Sequence, residues 1–301
     1  MTERRHREPL PLGGEHGLPF SKGLLARALI ATGIQSGRAY ELALTAEADL
    51  AATGTRALSL ERLHELAVEM WGEEDGAQVL RRLRLFRRID ELDLPIILLV
   101  GGATGTGKST VATEVAYRLG ITRVTSTDFV RQTMRAFFSQ DFMPSIHYSS
   151  FEAGEARDED DPDRVLHGFL DQTRNVLVGV RAAIDRVIQE GWSMVLEGVH
   201  LVPGMVSVEI EGALVVPFVL AIEDVEAHAS HFWFRDTTTG GVRAFDRYLD
   251  SLGDIRAIQD YIVARAHKAG VPVIENANIE RAVAQAMELV LERAEQLEAV
   301  G

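Results

Sequence analysis

The sequence predicts an α/β protein, a mainly parallel sheet covered by helices on both faces, preceded by a small, mostly helical domain. Two observations carry this. From Pro95 onward, short apolar runs alternate with longer stretches of helical spacing, the pattern of parallel strands joined by helical crossovers. Before residue 93 such runs are missing, and apolar residues recur at helical intervals instead. The chain has 301 residues and 46% apolar content, enough for one large core or two smaller ones. The change of pattern divides it into a helical domain over residues 1–92 and a second domain over 93–301, with a core expected in each.

LPLGGEHGLPFSKG, rich in turn formers, reads as an irregular or hairpin lead. LLARALIATG, RAYELALTAEADLAATG, LERLHELAVEM and QVLRRLRLFRRIDEL follow as helices. In the second domain IILLV is the first strand, a helix runs from about Ser109 to Leu119, and ITRVTSTD is the next strand, followed by the helix FVRQTMRAFF. EARDEDDPDR, residues 155–164, reads as a solvated loop, with a metal site as the weaker alternative because carboxylates so close in sequence repel and point outward. One long helix then runs to Gly191, a residue suited to the position just past a helix end. WSMVLEG, ALVVPFVLAI and VPVIEN are three further strands, and the chain contains no internal repeat.

Composition excludes several classes of partner. With 31 basic and 45 acidic residues the net charge is −14, which repels nucleic acid and anionic lipid alike. No stretch approaches the roughly 18 apolar residues of a membrane span, and MTERRHREPLPLGG lacks the apolar segment of a secretory signal, so a cytoplasmic protein is expected. The absence of cysteine rules out disulfides and thiolate-bound zinc. A small anionic ligand remains compatible, provided that arginines, lysines and backbone N–H groups gather locally.

Residues 102–109, GATGTGKS, match the phosphate-binding pattern G-x-x-x-x-G-K-[ST] at every required position, between a predicted strand and a predicted helix. Its glycines let consecutive N–H groups converge on phosphate oxygens, and the helix N-terminus adds a positive dipole. Gly102, Ala103, Thr104, Gly105, Thr106, Gly107, Lys108, Ser109 and Thr110 are therefore the expected ATP contacts. Lys108 reaches the β and γ phosphates, and Ser109 offers its hydroxyl to Mg²⁺.

A nucleotide grip does not by itself separate a kinase from a switch, so the other strand ends matter. ITRVTSTD brings Thr127 and Asp128, and SMVLEG brings Glu197, to the carboxyl edge of the sheet, where ligands of open α/β folds bind. Asp128 is the candidate base or metal contact, with helix capping as its alternative role, and Glu197 is placed on the metal side. Arg131 and Arg135, four apart on the next helix, suit an anionic acceptor or else form an ordinary solvated face. Arg235, Arg243 and Arg247 flank Gly240 and Gly241, as in a lid that closes over transferring phosphate, with Arg235 in a catalytic role and Arg256 nearby.

PIILLVGGATGTGKST, VTSTDFVRQTMR, SIHYSSFEAG, LEGVHLVPG and HFWFRDTTT together resemble the 2-phosphoglycerate kinase family over nearly the whole chain. The resemblance implies ATP-dependent phosphorylation of 2-phosphoglycerate to 2,3-bisphosphoglycerate. An acceptor that carries a carboxylate and a phosphate must be held by cations. Arg131, Arg135, Arg243 and Arg247 are available for this, with polar contacts from His147, Ser149 and Ser150; His147 as a base is less favoured. LPLGGEHGLPFSKGLLARALIATG and the helices after it resemble the ATP-cone, a nucleotide-binding regulatory module, which makes Lys22 a candidate phosphate contact. The same helices also suit packing, including against a second copy of the chain. Two other readings stay open: a kinase for another small hydroxyl acceptor, and a regulatory protein that senses ATP without transfer.

Overall fold

The structure is a computed structural model and describes residues 20–55, 57–91, 94–239 and 245–298. Contacts divide the chain into two units: Met1–Asp93 with Arg118–Gly120 and Val283–Gly301, and Leu94–Tyr117 with Ile121–Ala282. The sequence reading places a single cut at 92/93, whereas by contacts the first unit also takes in the end of the chain.

In the first unit four helices follow one another: α1 (Lys22–Ala31), α2 (Ser36–Thr53), α3 (Leu60–Trp71) and α4 (Glu73–Glu91). Serines start two of them, because the Ser21 and Ser59 hydroxyls accept from the N–H groups of Leu24 and Arg62. Gly54, at φ 70°, ends α2 in the left-handed conformation. Leu25, Leu29, Leu42, Leu63, Leu66 and Leu83 form the buried core of this unit. The last helix, Ile279–Glu298, belongs to the first unit from Val283 onward. Arg81 pairs there with Glu295 at 3.0 Å and Arg82 with Glu288 at 2.8 Å. Residues 10–19 of the expected irregular or hairpin lead fall outside the described residues, and its last two, Lys22 and Gly23, already belong to α1.

The second unit is built on β1 (Ile96–Gly101), β2 (Val124–Ser126), β3 (Met194–Glu197), β4 (Leu214–Ala221) and β5 (Val273–Glu275). They lie in the order β2-β3-β1-β4-β5, and every pairing is parallel. Ile97, Leu99 and Val215 on one face pack with Val176, Leu177, Val180 and Ile184 of α7 (Arg164–Gln189). Ile96, Leu98, Val100, Val216 and Phe218, of opposite parity along their strands, are equally buried, so the sheet is covered on both faces. The predicted α/β architecture is the one observed.

Pro217 sits inside β4, where a missing N–H would break a ladder. Val219, of the same parity, donates to Pro272, so the Pro217 nitrogen faces the β5 side. Pairing with β5 starts only at Val219↔Val273, and the proline leaves no ladder bond unmade.

Helices α5 (Lys108–Arg118), α6 (Thr127–Arg135), α8 (Val225–Thr239), α9 (Phe245–Asp250), α10 (Leu252–Ala269) and α11 (Ile279–Glu298) complete the chain. Gly191, at φ 65°, follows the Glu190 cap of α7, where a glycine helix stop was expected. Within 155–164, Asp161 bonds His167 at 2.9 Å and Arg157 at 2.8 Å. No described helix is long and apolar enough to cross a membrane.

Candidate functional site

The chain leaves β1 toward β2 and β3 on one side, while β4 and β5 lie on the other. The carboxyl edge of β1 is thus where the strand order reverses, and the loop of residues 102–107 sits there before α5 begins at Lys108. Gly102, Gly105 and Gly107 have φ of 139°, 87° and 80°, conformations that side chains disfavour. A Cβ on Gly107 would also overlap the Asn276 amide.

All four carbonyls from Ala103 to Thr106 are held by side-chain donors. Ala103 accepts from Lys108 Nζ at 2.5 Å and from Thr106 Oγ1 at 3.0 Å. Thr104 accepts from His228 Nε2 at 2.8 Å, Gly105 from His231 Nδ1 at 3.0 Å, and Thr106 from Asn276 Nδ2 at 2.9 Å. In a trans peptide the N–H points opposite to the carbonyl. The N–H groups of Gly105, Thr106 and Gly107 therefore turn away from these donors, the arrangement that receives an anion. Just past the loop, Ser109 Oγ donates to Glu197 Oε1 at 3.0 Å. Glu197 ends β3 level with Val100 of β1, so the parallel register itself brings this carboxylate to the start of α5.

The second cluster surrounds the start of α6. Strand β2 ends at Ser126, so Thr127 and Asp128 open the helix rather than close the strand as expected. The cap is Ser126, whose hydroxyl accepts from Phe129 N at 3.0 Å, so the capping role considered for Asp128 falls to the serine two residues before it. Asp128 Oδ1 instead accepts from Arg131 Nε at 3.0 Å and NH2 at 2.8 Å. Arg131 is only 5% exposed, and its NH1 donates to the carbonyls of Ile146 at 2.8 Å and Tyr148 at 2.7 Å. Arg135 is exposed and bonds Gln132 at 3.1 Å. The two arginines therefore do not form the matched pair that their spacing suggests.

His147 Nε2 donates to the Phe138 carbonyl at 3.0 Å, and Ser150 is buried. Arg247 donates to Ser149 Oγ at 3.3 Å and forks onto Glu152, and this arginine holds the Glu152 carboxyl below the usual range. Arg256 bonds the carbonyls of Ile222 at 2.9 Å and Glu223 at 3.0 Å, bracing the end of β4. Arg235 falls within α8 with its side chain outside the described part, and Gly240, Gly241 and Arg243 lie outside the described residues. In the first unit, Lys22 pairs with Glu47 at 2.9 Å.

Behind Asp128 lies a buried polar chain that sequence reasoning did not find. Gln172 Nε2 donates to the carbonyls of Ser145 at 2.5 Å and Tyr148 at 3.1 Å, which leaves Oε1 to accept. His200 Nε2, 2.9 Å from that oxygen, must carry the proton. His200 Nδ1 then accepts from the Thr127 hydroxyl at 2.8 Å. The segment 145–148 is thus gripped by Arg131 and Gln172 together. Burial, with a smaller contribution from the Arg131 charge, holds the His200 pKa down at about 3.

An unfolded histidine titrates near 6.5. Between about pH 6.5 and 3 the unfolded chain binds the proton and the folded one does not, so His200 costs stability as pH falls through this window, with a slope of up to about 1.4 kcal/mol per pH unit. Urea unfolding at pH 7 and pH 5 should show a larger loss for the wild type than for His200→Gln; equal losses would dismiss this linkage.

No protein-family model matches the chain. It is 38% identical over 283 residues to the 2-phosphoglycerate kinase of Methanopyrus kandleri, covering 93% of this chain and 86% of that one. Identity to the 2-phosphoglycerate kinase of Methanothermobacter thermautotrophicus is 39% over 271 residues, covering 89% and 88%. To that of Pyrococcus horikoshii it is 35% over 285 residues, covering 93% and 92%. With a phosphate-type loop at the reversal point of a parallel sheet and relatives matched along nearly their full length, this chain belongs to the 2-phosphoglycerate kinase family.

Proposed function

We propose that this protein transfers the γ-phosphoryl group of ATP to the hydroxyl of 2-phosphoglycerate, giving ADP and 2,3-bisphosphoglycerate in the cytoplasm. The observation that carries the reading is the loop 103–106, whose carbonyls are all held outward beside the Ser109–Glu197 pair. Such a cradle binds phosphate through N–H groups that need no reorganisation. Lys108 neutralises charge on the β and γ oxygens. The acceptor oxygen attacks the γ-phosphorus, the bond to the β–γ bridging oxygen breaks, and the hydroxyl proton passes to Asp128, whose Oδ1 is steadied by Arg131.

Ser109 and Glu197 fit Mg²⁺, which is commonly held by one or two protein oxygens together with substrate phosphates. When bound, Mg²⁺ would shield negative charge on the phosphates during transfer. Arg247, Ser149, Ser150, His147, Arg135 and Arg243 are the remaining acceptor contacts in this reading, with Arg235 on the transferring group. The N-terminal helices act as a regulatory nucleotide module, in which a phosphate would reach Lys22 by displacing Glu47.

The test is ADP release with 2-phosphoglycerate, 3-phosphoglycerate, glycerate, sugars and nucleotides. The highest kcat/KM is expected for 2-phosphoglycerate. A higher value for an uncharged sugar or polyol would reject the acceptor, and ATP binding without transfer to any of them would reject the kinase reading.

A further inference from the structure

We propose that His228 and His231 are positioning residues of the phosphate loop, setting ATP affinity from its outer side without touching the nucleotide. This rests on the nucleotide-binding reading above. The two histidines lie three apart on α8, so they share one helix face. Each donates to a different loop carbonyl, His228 Nε2 to Thr104 and His231 Nδ1 to Gly105. A carbonyl oxygen only accepts, so the contact fixes the bonding nitrogen of each ring as N–H, Nε2 in one and Nδ1 in the other.

The contact is tightly built. His228 is fully buried, and its ring stacks on Phe232 at 5.4 Å with 23° between planes. A Cβ on Gly105 would lie 2.5 Å from Phe232 Cε1 and 3.0 Å from His228 Nε2, so α8 approaches the loop this closely only because residue 105 is glycine. Burial also pushes the His228 pKa down, which favours the neutral ring with one donor.

The peptide units 104–105 and 105–106 are the ones these rings hold. Each unit is planar, so a donor on its carbonyl also aims the N–H on its other edge. Without the rings, the planes could rotate toward other partners, and the N–H groups of Gly105 and Thr106 would lose their common direction. ATP would then have to order the loop on binding, at a cost in affinity. The acceptor-side segment 145–148 is held by Arg131 and Gln172 and should be indifferent to the change.

Amide side chains reproduce the two rings selectively. A glutamine nitrogen reaches as far as Nε2, and an asparagine nitrogen as far as Nδ1. His228→Phe and His231→Phe, which keep bulk but lose the donor, should each raise the ATP dissociation constant by calorimetry about tenfold, the worth of one hydrogen bond. The KM for 2-phosphoglycerate should stay within about twofold. His228→Gln and His231→Asn should restore ATP affinity, whereas His228→Asn and His231→Gln should not. If a phenylalanine variant does not fold, the asparagine and glutamine pair at that position decides the matter alone. Unchanged ATP affinity, equal behaviour of the two amides, or an equal rise in acceptor KM would overturn the proposal. A wild-type protein that binds no ATP would instead overturn the nucleotide reading beneath it.

Discussion

Replacing Lys108 with alanine is expected to lower kcat/KM by roughly 10² to 10³, the loss seen when one aimed donor to a reacting group is removed. The fold should survive. Lys108 Nζ bonds the Ala103 carbonyl at 2.5 Å, but that carbonyl also accepts from Thr106 Oγ1 at 3.0 Å, so the substitution does not leave it without a donor. The aliphatic stem is buried, and its truncation costs some packing while the neighbouring apolar residues of α5, Val111 and Ala112, stay in place. Steady-state kinetics together with urea unfolding check both halves. A variant with near-wild-type turnover would mean that the loop does not act on a transferring phosphate.

Arg131→Ala is expected to destabilise the protein by about 2–4 kcal/mol, and to lose acceptor use as a consequence of that disorder. The Ile146 carbonyl loses the Arg131 donor, and a buried polar group without a partner costs about 1–3 kcal/mol. The Tyr148 carbonyl is protected by Gln172. The rest comes from the paired bonds to Asp128, discounted because that carboxylate is 55% exposed. Arg131→Lys should recover only part of the loss, since a single ammonium cannot serve Asp128, Ile146 and Tyr148 with one planar fork. Urea midpoints for the three proteins measure this. If Arg131→Ala unfolds like the wild type and only the acceptor KM rises, Arg131 is a free ligand for the acceptor and not a brace.

The contrast between Arg131 and Arg135 shows where the sequence was legible. Helical spacing correctly joins them on one helix, but spacing says nothing about what packs over that helix. The segment 145–148 covers one arginine and leaves the other in water. The phosphate loop was legible because its chemistry is local: glycines, lysine and serine are contiguous, and strand and helix flank them. The donors that hold the Thr104, Gly105 and Thr106 carbonyls come from 124 to 170 residues away and could not be read from spacing. Asn276 was nonetheless within reach. It follows β5 at the carboxyl edge, just as Glu197 ends β3, and the rule that picked Glu197 would have picked it too. His200, three residues past Glu197, carried no comparable signal, since its role depends on which side chains meet it inside the fold.

The last helix carries a consequence of its own. Val283–Gly301 completes the unit that begins at the N-terminus, with Arg81 and Arg82 reaching Glu295 and Glu288. That unit is therefore not a contiguous string of residues. On the ribosome, where domains generally fold in the order they emerge, its first 93 residues must wait through the synthesis of the entire sheet for their closing helix. The fold of the helical unit is in this sense closed last, and a variant truncated before α11 would leave that unit without its final helix.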